Sequence, residues 1–240
     1  MVPTFRVLTY NVHSCVGTDG RLDPGRIAEV IARSEADIVA LQEVDVCQTR
    51  SDGLHQPQWL AERLRMLVHF TAARECNQGH YGNAILSRYP FALMSEGKLR
   101  RLRDETRAVQ WLRLSLAGFE INVMNTHFSV HLRERLLQTE QLLGAEWVAQ
   151  VEERVPLVIC GDLNSGSFSP VYRRLCRDLQ DAQRQNGEKA RSTWPSRRPL
   201  LRLDHIFTSR NVEVLRCEVR RDALSKLASD HLPLLADLSC

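Results

Sequence analysis

Lysine is almost missing from this chain: of its 32 basic residues three are lysine (Lys98, Lys189, Lys226) and 29 are arginine. Guanidinium groups suit bidentate contact with phosphate, although a compositional bias toward arginine codons explains the figure more simply. A net charge of +3 over 240 residues is too small to name a polyanionic partner. No apolar run approaches the roughly 20 residues that a membrane-crossing helix requires. The N-terminus passes from Met1 into a strand-like run without a charged-then-apolar leader. These absences lead us to expect a soluble cytoplasmic protein with no transmembrane segment. The seven cysteines (Cys15, Cys47, Cys76, Cys160, Cys176, Cys217, Cys240) form no CxxC pair and no zinc-type cluster. An odd, scattered set in a chain this long is expected to stay reduced, and Cys160, inside an apolar run, reads as a small core residue. Repeats, low-complexity tracts and compositional seams are also missing, so residues 1–240 are expected to form one domain.

Short apolar runs alternate with helix signals. Residues 5–10 (FRVLTY) are β-prone and end at Asn11, and Asp23 followed by Pro24 caps a helix expected to run to about Arg33. Residues 37–41 (DIVAL) read as a strand buried on both faces, delivering Gln42 and Glu43 at its end. A helix is predicted over 56–65 and strands over 83–87, 109–116 and 119–125, the last two joined as a hairpin at Ala117-Gly118. Leu132, Leu136, Leu143, Trp147 and Val151 recur at helical spacing and predict one face of a long amphipathic helix. Further strands are expected at 156–160, 203–208 and 232–238, with the polar stretch 183–199 as a surface loop rather than a linker.

Buried strands here repeatedly end in a polar or acidic group: Asn11, Glu43, His127, Asp162 with Asn164, and Asp230-His231 before the last strand. Unpaired carboxylates are costly to bury, and a shared rim around a cation supplies the compensating charge. Any one of these residues alone reads better as a turn or helix cap; the whole series does not.

Seven motifs follow in order: TYNVH at 9–13, LQEVD at 41–45, YGNAILSR at 81–88, NTHF at 125–128, GDLNS at 161–165, LDHIF at 203–207 and SDHLPL at 229–234. Together they resemble the endonuclease/exonuclease/phosphatase family, which includes deoxyribonuclease I-like nucleases, abasic-site endonucleases, sphingomyelinases and inositol polyphosphate 5-phosphatases. The resemblance runs from Phe5 to Leu238. It implies an α/β four-layer sandwich, in which two mixed β-sheets pack face to face with helices outside. It also implies a divalent-metal-dependent phosphoesterase, using Mg²⁺ or alternatively Mn²⁺, that cleaves a phosphodiester by in-line attack of an activated water.

Phosphate-ester hydrolysis needs charge on the phosphoryl oxygens neutralised, a water aligned and the leaving oxygen stabilised. Glu43, a hard oxygen donor at a strand end, is the best metal ligand, with Asn11 beside it and Asp230 able to join the shell. Asp162 would orient the attacking water or take its proton, and Asn164 would hold a phosphoryl oxygen. The resemblance pairs His231 with Asp204, the histidine contacting phosphate and the aspartate orienting it. His127 matches a histidine that donates to a phosphoryl or leaving oxygen. Arg107 follows Glu105-Thr106 and matches a family position that often carries an arginine aimed at the active site, with one more solvated arginine among the 29 as the alternative; Tyr81 and Asn83 are substrate-side candidates. Arg135 and Gln138 read as structural, and His205 as facing away from Asp204. One departure concerns His13, which stands where abasic-site enzymes often carry an acid; fewer acidic ligands weaken any transfer of a DNA-repair role.

The substrate stays open between two branches. One is nucleic acid, with basic clusters at 98–107 and 197–202 as backbone contacts, though no aromatic-and-basic stacking platform is present. The other is a small or lipid-derived phosphoester. A monomer is expected. The competing class is a catalytically inactive binding module that retains the fold; the presence of Glu43, Asp162, Asn164, Asp204 and His231 together speaks against it.

Overall fold

A computed structural model of the chain describes residues 4–76, 78–103, 106–116, 118–185 and 190–240. Residues 104–105 beside Arg107, Ala117 of the expected hairpin turn and residues 186–189 of the polar stretch lie outside them.

The strands are β1 (Thr4–Asn11), β2 (Ile38–Val46), β3 (Leu67–Cys76), β4 (Gly79–Ser87), β5 (Phe91–Lys98), β6 (Ala108–Leu116), β7 (Phe119–His127), β8 (Leu157–Asp162), β9 (Gln180–Asp181), β10 (Asp204–Thr208), β11 (Glu213–Val219) and β12 (Leu234–Ser239). The helices are α1 (Pro24–Ser34), α2 (Gln56–Leu64), α3 (Leu132–Leu143), α4 (Pro170–Asp178), α5 (Ala182–Gln185) and α6 (Ala223–Ala228). They build two six-stranded mixed sheets, ordered β11-β12-β1-β2-β4-β3 and β5-β6-β7-β8-β10-β9.

Period-two alternation sorts the side chains into layers. Phe5, Val7, Ile38, Ala40 and Ile85 of the first sheet meet Leu112, Leu114, Val123, Val158, Cys160 and Ile206 of the second in a central core. The intervening Leu8, Tyr10, Val39 and Leu41 face Ile27, Ile31 and Leu60 of α1 and α2. On the far side Trp111, Met124 and Ile159 pack on Leu142 of α3 and Leu175 of α4. The sheets and their flanking helices are the expected four layers, and central strands with both faces buried explain the near-continuous apolar runs in the sequence.

Asp23 caps α1 as expected, its carboxylate accepting from the Arg26 N–H, with Pro24 in the first turn. The long helix needs correction. It ends at Leu143, and Gly144 continues in an extended conformation, so Trp147 and Val151 belong to a separate segment. Leu132 and Leu136 are exposed, while Glu134 and Gln138 turn inward. They do so because backbone groups need partners there. Glu134 accepts the N–H groups of Leu102 and Arg103, and Gln138 takes the Ser129 N–H and donates to the Arg100 carbonyl. A polar inner face is invisible to an apolar periodicity.

Strands β7 and β8 run parallel and bring His127 opposite Asp162, while β10 runs antiparallel to β8 and brings Asp204 opposite Asp162. The tightest point of this arrangement is Gly161, at φ +154°, where a Cβ would lie 1.9 Å from the Thr126 carbonyl oxygen. Only glycine fits such an approach. The Gly161→Ala variant is therefore expected to lose roughly 2–4 kcal/mol of stability in urea unfolding; an unchanged midpoint would show that the two strands are not held this closely.

Candidate functional site

The site forms where both sheets deliver strand ends to one edge. In β2, Gln42 and Glu43 together oppose the single residue Asn83 of β4, because the register steps from Leu41↔Ala84 to Val44↔Gly82. This is a β-bulge, and Glu43 takes a positive φ of 59° within it. Bulges re-aim side chains, and here the Glu43 carboxylate swings toward β1 to accept a 2.8 Å hydrogen bond from Asn11 Nδ2. A buried amide from the opposite sheet holds the bulge. Asn125 Nδ2 donates to the carbonyls of Leu41 (2.8 Å) and Ala84 (2.9 Å), the last residues before the irregularity on each strand. Gln42 Nε2 in turn donates to Asn125 Oδ1 (2.8 Å) and to Thr9 Oγ1 (3.1 Å).

Asp162, 1% exposed, is the hub. Its Oδ1 accepts the Asn164 N–H at 2.8 Å and its Oδ2 accepts Asn11 Nδ2 at 3.1 Å. Asn11 thus presents its NH₂ to both Glu43 and Asp162, while its oxygen takes the His13 N–H. The same Oδ2 lies 3.5 Å from His127 Nε2 and 3.6 Å from His231 Nε2. Burial raises the Asp162 carboxyl above its ordinary range and Asp204 adds to this, against the lowering effect of His231 and the Asn164 and Asn11 hydrogen bonds.

The protonation states of the two histidines follow from their partners. His127 Nδ1 is 2.9 Å from an Arg107 guanidinium nitrogen. Arginine can only donate, so Nδ1 accepts and the ring proton sits on Nε2. Burial, then the charges of Arg107 and His231, hold His127 neutral by pushing its pKa well below the ordinary value. Asn164 Nδ2 donates to the Phe128 carbonyl at 2.9 Å and stands 3.2 Å from His127 Nε2. Two N–H groups therefore face one another with no acceptor between them, beside the carboxylates. His231 is the opposite case. Burial works against its charge, but Asp204, with Oδ2 2.9 Å from Nδ1, and Asp162 outweigh it and raise the pKa. Its Nε2–H points at the same Asp162 oxygen.

Glu43, His127 and Asp162 each offer an atom within 4.8 Å of the others, and Asp162, Asp204 and His231 do likewise. The carboxylates of Glu43 and Asp162 come together at this edge, and oxygen donors of this kind fit a hard divalent cation. Geometry alone would make His127 a ligand. Its tautomer argues otherwise, because the Nε2 lone pair is occupied by the proton that Arg107 forces there. We therefore place the cation-holding capacity on Glu43 and Asp162.

The other sequence candidates have partners of their own. Asp230 accepts from Trp194 Nε1 at 3.1 Å and lies 3.9 Å from His13 Nδ1, and it is not among the groups that converge on Asp162. Asn83 donates to the Ala108 carbonyl, tying β4 to the strand that follows Arg107. Tyr81 is flanked by the guanidinium groups of Arg50 and Arg74 at 5.5 and 5.0 Å. Arg107 is buried, so it is not a solvated surface arginine. Gln138 is structural as expected, whereas Arg135 reaches the Asn164 carbonyl and so borders the site. His205 does face away from Asp204, with Nε2 2.8 Å from the Ser165 carbonyl. Of His13, the backbone rather than the ring meets the site. Gln42 and Asn125 stand in the sequence only within the LQEVD and NTHF motifs, without a role; both are amides that interrupt apolar runs, which is the signal for a buried hydrogen-bonding part.

Comparison with known proteins gives the family and the fold. The profile of the Endonuclease/Exonuclease/phosphatase family matches residues 8–231. The Escherichia coli (strain K12) protein YbhP, described as uncharacterized, is 29% identical over 248 aligned residues that cover 98% of this chain and 96% of YbhP. An endonuclease/exonuclease/phosphatase from Bacteroides vulgatus has a solved structure that superposes with a TM-score of 0.80 at 21% identity, covering 98% of each chain. The mannosyl-6-phosphatase Bt3783 of Bacteroides thetaiotaomicron VPI-5482 superposes with a TM-score of 0.77 at 19% identity, covering 98% of this chain and 99% of the other. With the profile spanning most of its length and the two-sheet fold shared, this chain belongs to the endonuclease/exonuclease/phosphatase family.

Proposed function

We propose that this chain is a divalent-metal-dependent phosphodiesterase in which Glu43 and Asp162 hold Mg²⁺, or Mn²⁺ in its place, and water attacks the phosphorus in line. The observation that carries the reading is the convergence of two N–H donors, His127 Nε2–H and Asn164 Nδ2–H, 3.2 Å apart beside the two carboxylates. A phosphoryl oxygen is an acceptor that fits both. When bound, the cation would neutralise phosphoryl charge and act as a Lewis acid. Asp162, beside the same space, orients the attacking water or takes up its proton. His231, kept protonated and aimed by Asp204, donates to a second phosphoryl oxygen or to the leaving oxygen. Arg107 acts at one remove by fixing the His127 tautomer. The donors come from both sheets, so we take residues 1–240 as one catalytic domain.

The competing reading is an inactive module that keeps the fold; the intact set of donors, carboxylates and orienting partners disfavours it. The name of Bt3783 points to a sugar phosphate for that protein, but the likeness at 19% identity carries the fold alone. A panel of supercoiled DNA, abasic duplex, RNA, phospholipid and inositol phosphate discriminates the substrate branches.

Hydrolysis of bis(p-nitrophenyl) phosphate is expected to require added Mg²⁺ or Mn²⁺, to vanish in EDTA, and to fall at least ~100-fold in Glu43→Ala and in His231→Ala. Full activity in EDTA would refute the metal role. For Arg107→Met the expected result is a kcat about tenfold lower with Mn²⁺ affinity nearly unchanged. A parallel loss of Mn²⁺ affinity would instead make His127 a metal ligand.

A further inference from the structure

The loops at the two ends of the sandwich differ in kind. Strand directions place the ends of β7 and β8 and the starts of β6 and β10 at the edge that carries the site. The described residues of the segments there, 99–103 with 106–107, 128–131, 163–169 and 190–203, together with Leu132 at the start of α3, present Leu102, Val130, Leu132, Phe168, Leu200 and Leu201, all exposed. Phe168 is 91% and Leu200 77% accessible. At the opposite end, no described residue of the loops 35–37, 65–66, 88–90, 118, 152–156 or 209–212 is an exposed large hydrophobic, and the exposed apolar side chains nearby are Leu67 at the start of β3 and Leu215 of β11. Exposed apolar side chains gathered on one functional face mark an interaction surface.

The tips are held in place. Glu134 accepts the N–H groups of Leu102 and Arg103 and a bond from Ser129, fixing two of the segments to α3. Arg202 bonds Ser167 Oγ and so joins the Phe168 loop to the Leu200-Leu201 loop. Exposed arginines stand beside the apolar tips: Arg101 and Arg103 around Leu102, Arg133 after Leu132, and Arg197 and Arg198 before Leu200. This pairing decides the partner. Five of the six tips are aliphatic and gain nothing by stacking on nucleobases, whereas insertion between acyl chains releases them from water. Guanidinium groups next to them lie where anionic headgroup phosphates would be.

We propose that this rim docks on an anionic phospholipid surface and brings the site to phosphoesters in the headgroup layer. The docking stands on the rim alone; the chemistry performed there rests on the hydrolase reading above. The test is flotation of the full chain with vesicles of phosphatidylcholine alone or with about one-third phosphatidylglycerol, where the anionic vesicles are expected to capture roughly tenfold more protein. The triple variant Phe168→Ser, Leu200→Ser, Leu201→Ser should lose that capture by about tenfold while keeping the wild-type Tm. The opposite-end control Leu67→Ser, Leu215→Ser should retain it. Capture indifferent to phosphatidylglycerol, or untouched by the triple substitution, would overturn the proposal. So would failure to float combined with duplex DNA binding that the triple variant loses. A wild-type chain that floats but cannot hydrolyse bis(p-nitrophenyl) phosphate with Mn²⁺ keeps the docking and sinks the hydrolase reading; the reverse result sinks the docking alone.

Discussion

Everything at the site depends on one buried junction between the sheets, where the Asn125 amide reaches across to the carbonyls of Leu41 and Ala84 and is oriented by Gln42. A bulge leaves backbone groups without ladder partners, and a buried carbonyl left unpaired costs more than a hydrogen bond returns. Beside this one, Asn125 gives one NH₂ group to the carbonyls of the adjoining pair Leu41 and Ala84. That makes the irregularity tolerable and fixes Glu43 in its left-handed conformation. The same contact locks the relative placement of β2 and β7, and therefore of Glu43 and His127. A site assembled from two sheets needs such a pin more than one built on a single sheet, because small slips between layers would separate its halves.

Electrostatics then sort the roles. Asp162 accepts from Asn11 and Asn164 and stands beside two histidines, with the carboxylates of Glu43 and Asp204 also near. The histidines diverge although they lie equally near it. His127 is backed by a cation and stays neutral; His231 is backed by a carboxylate and stays charged. One fold edge thus holds a neutral donor and a cationic donor on the same carboxylate oxygen. Pairs pushed in opposite directions by their backing groups are a common basis for dividing catalytic labour.

Much of this was legible in the sequence because central strands announce themselves. β1, β2, β4, β6, β7, β8, β10 and β12 carry the apolar runs, and the ends of β1, β7 and β8 carry Asn11, His127 and Asp162; Glu43, expected at the end of its strand, lies instead at a bulge within β2. The strands that were not anticipated, β3, β5, β9 and β11, are the four sheet edges. Edge strands keep one side in water and need no continuous apolar run, so a hydrophobic pattern passes over them. The expected long helix failed for the complementary reason, since Glu134 and Gln138 are buried for their hydrogen bonds. Arg107 could not be told from its fellow arginines until its contact with His127 was visible. Asn125 was hidden by its chemistry, because a buried amide has value only through partners distant in sequence.

The central claim is that Glu43 and Asp162, supplied by different sheets, grip one divalent cation. Calorimetric titration of the purified chain with Mn²⁺ tests it without any assumption about substrate. The account predicts binding that weakens at least ~10-fold in each of the near-isosteric variants Glu43→Gln and Asp162→Asn, with the fold intact. Mn²⁺ affinity unchanged by both substitutions would contradict it.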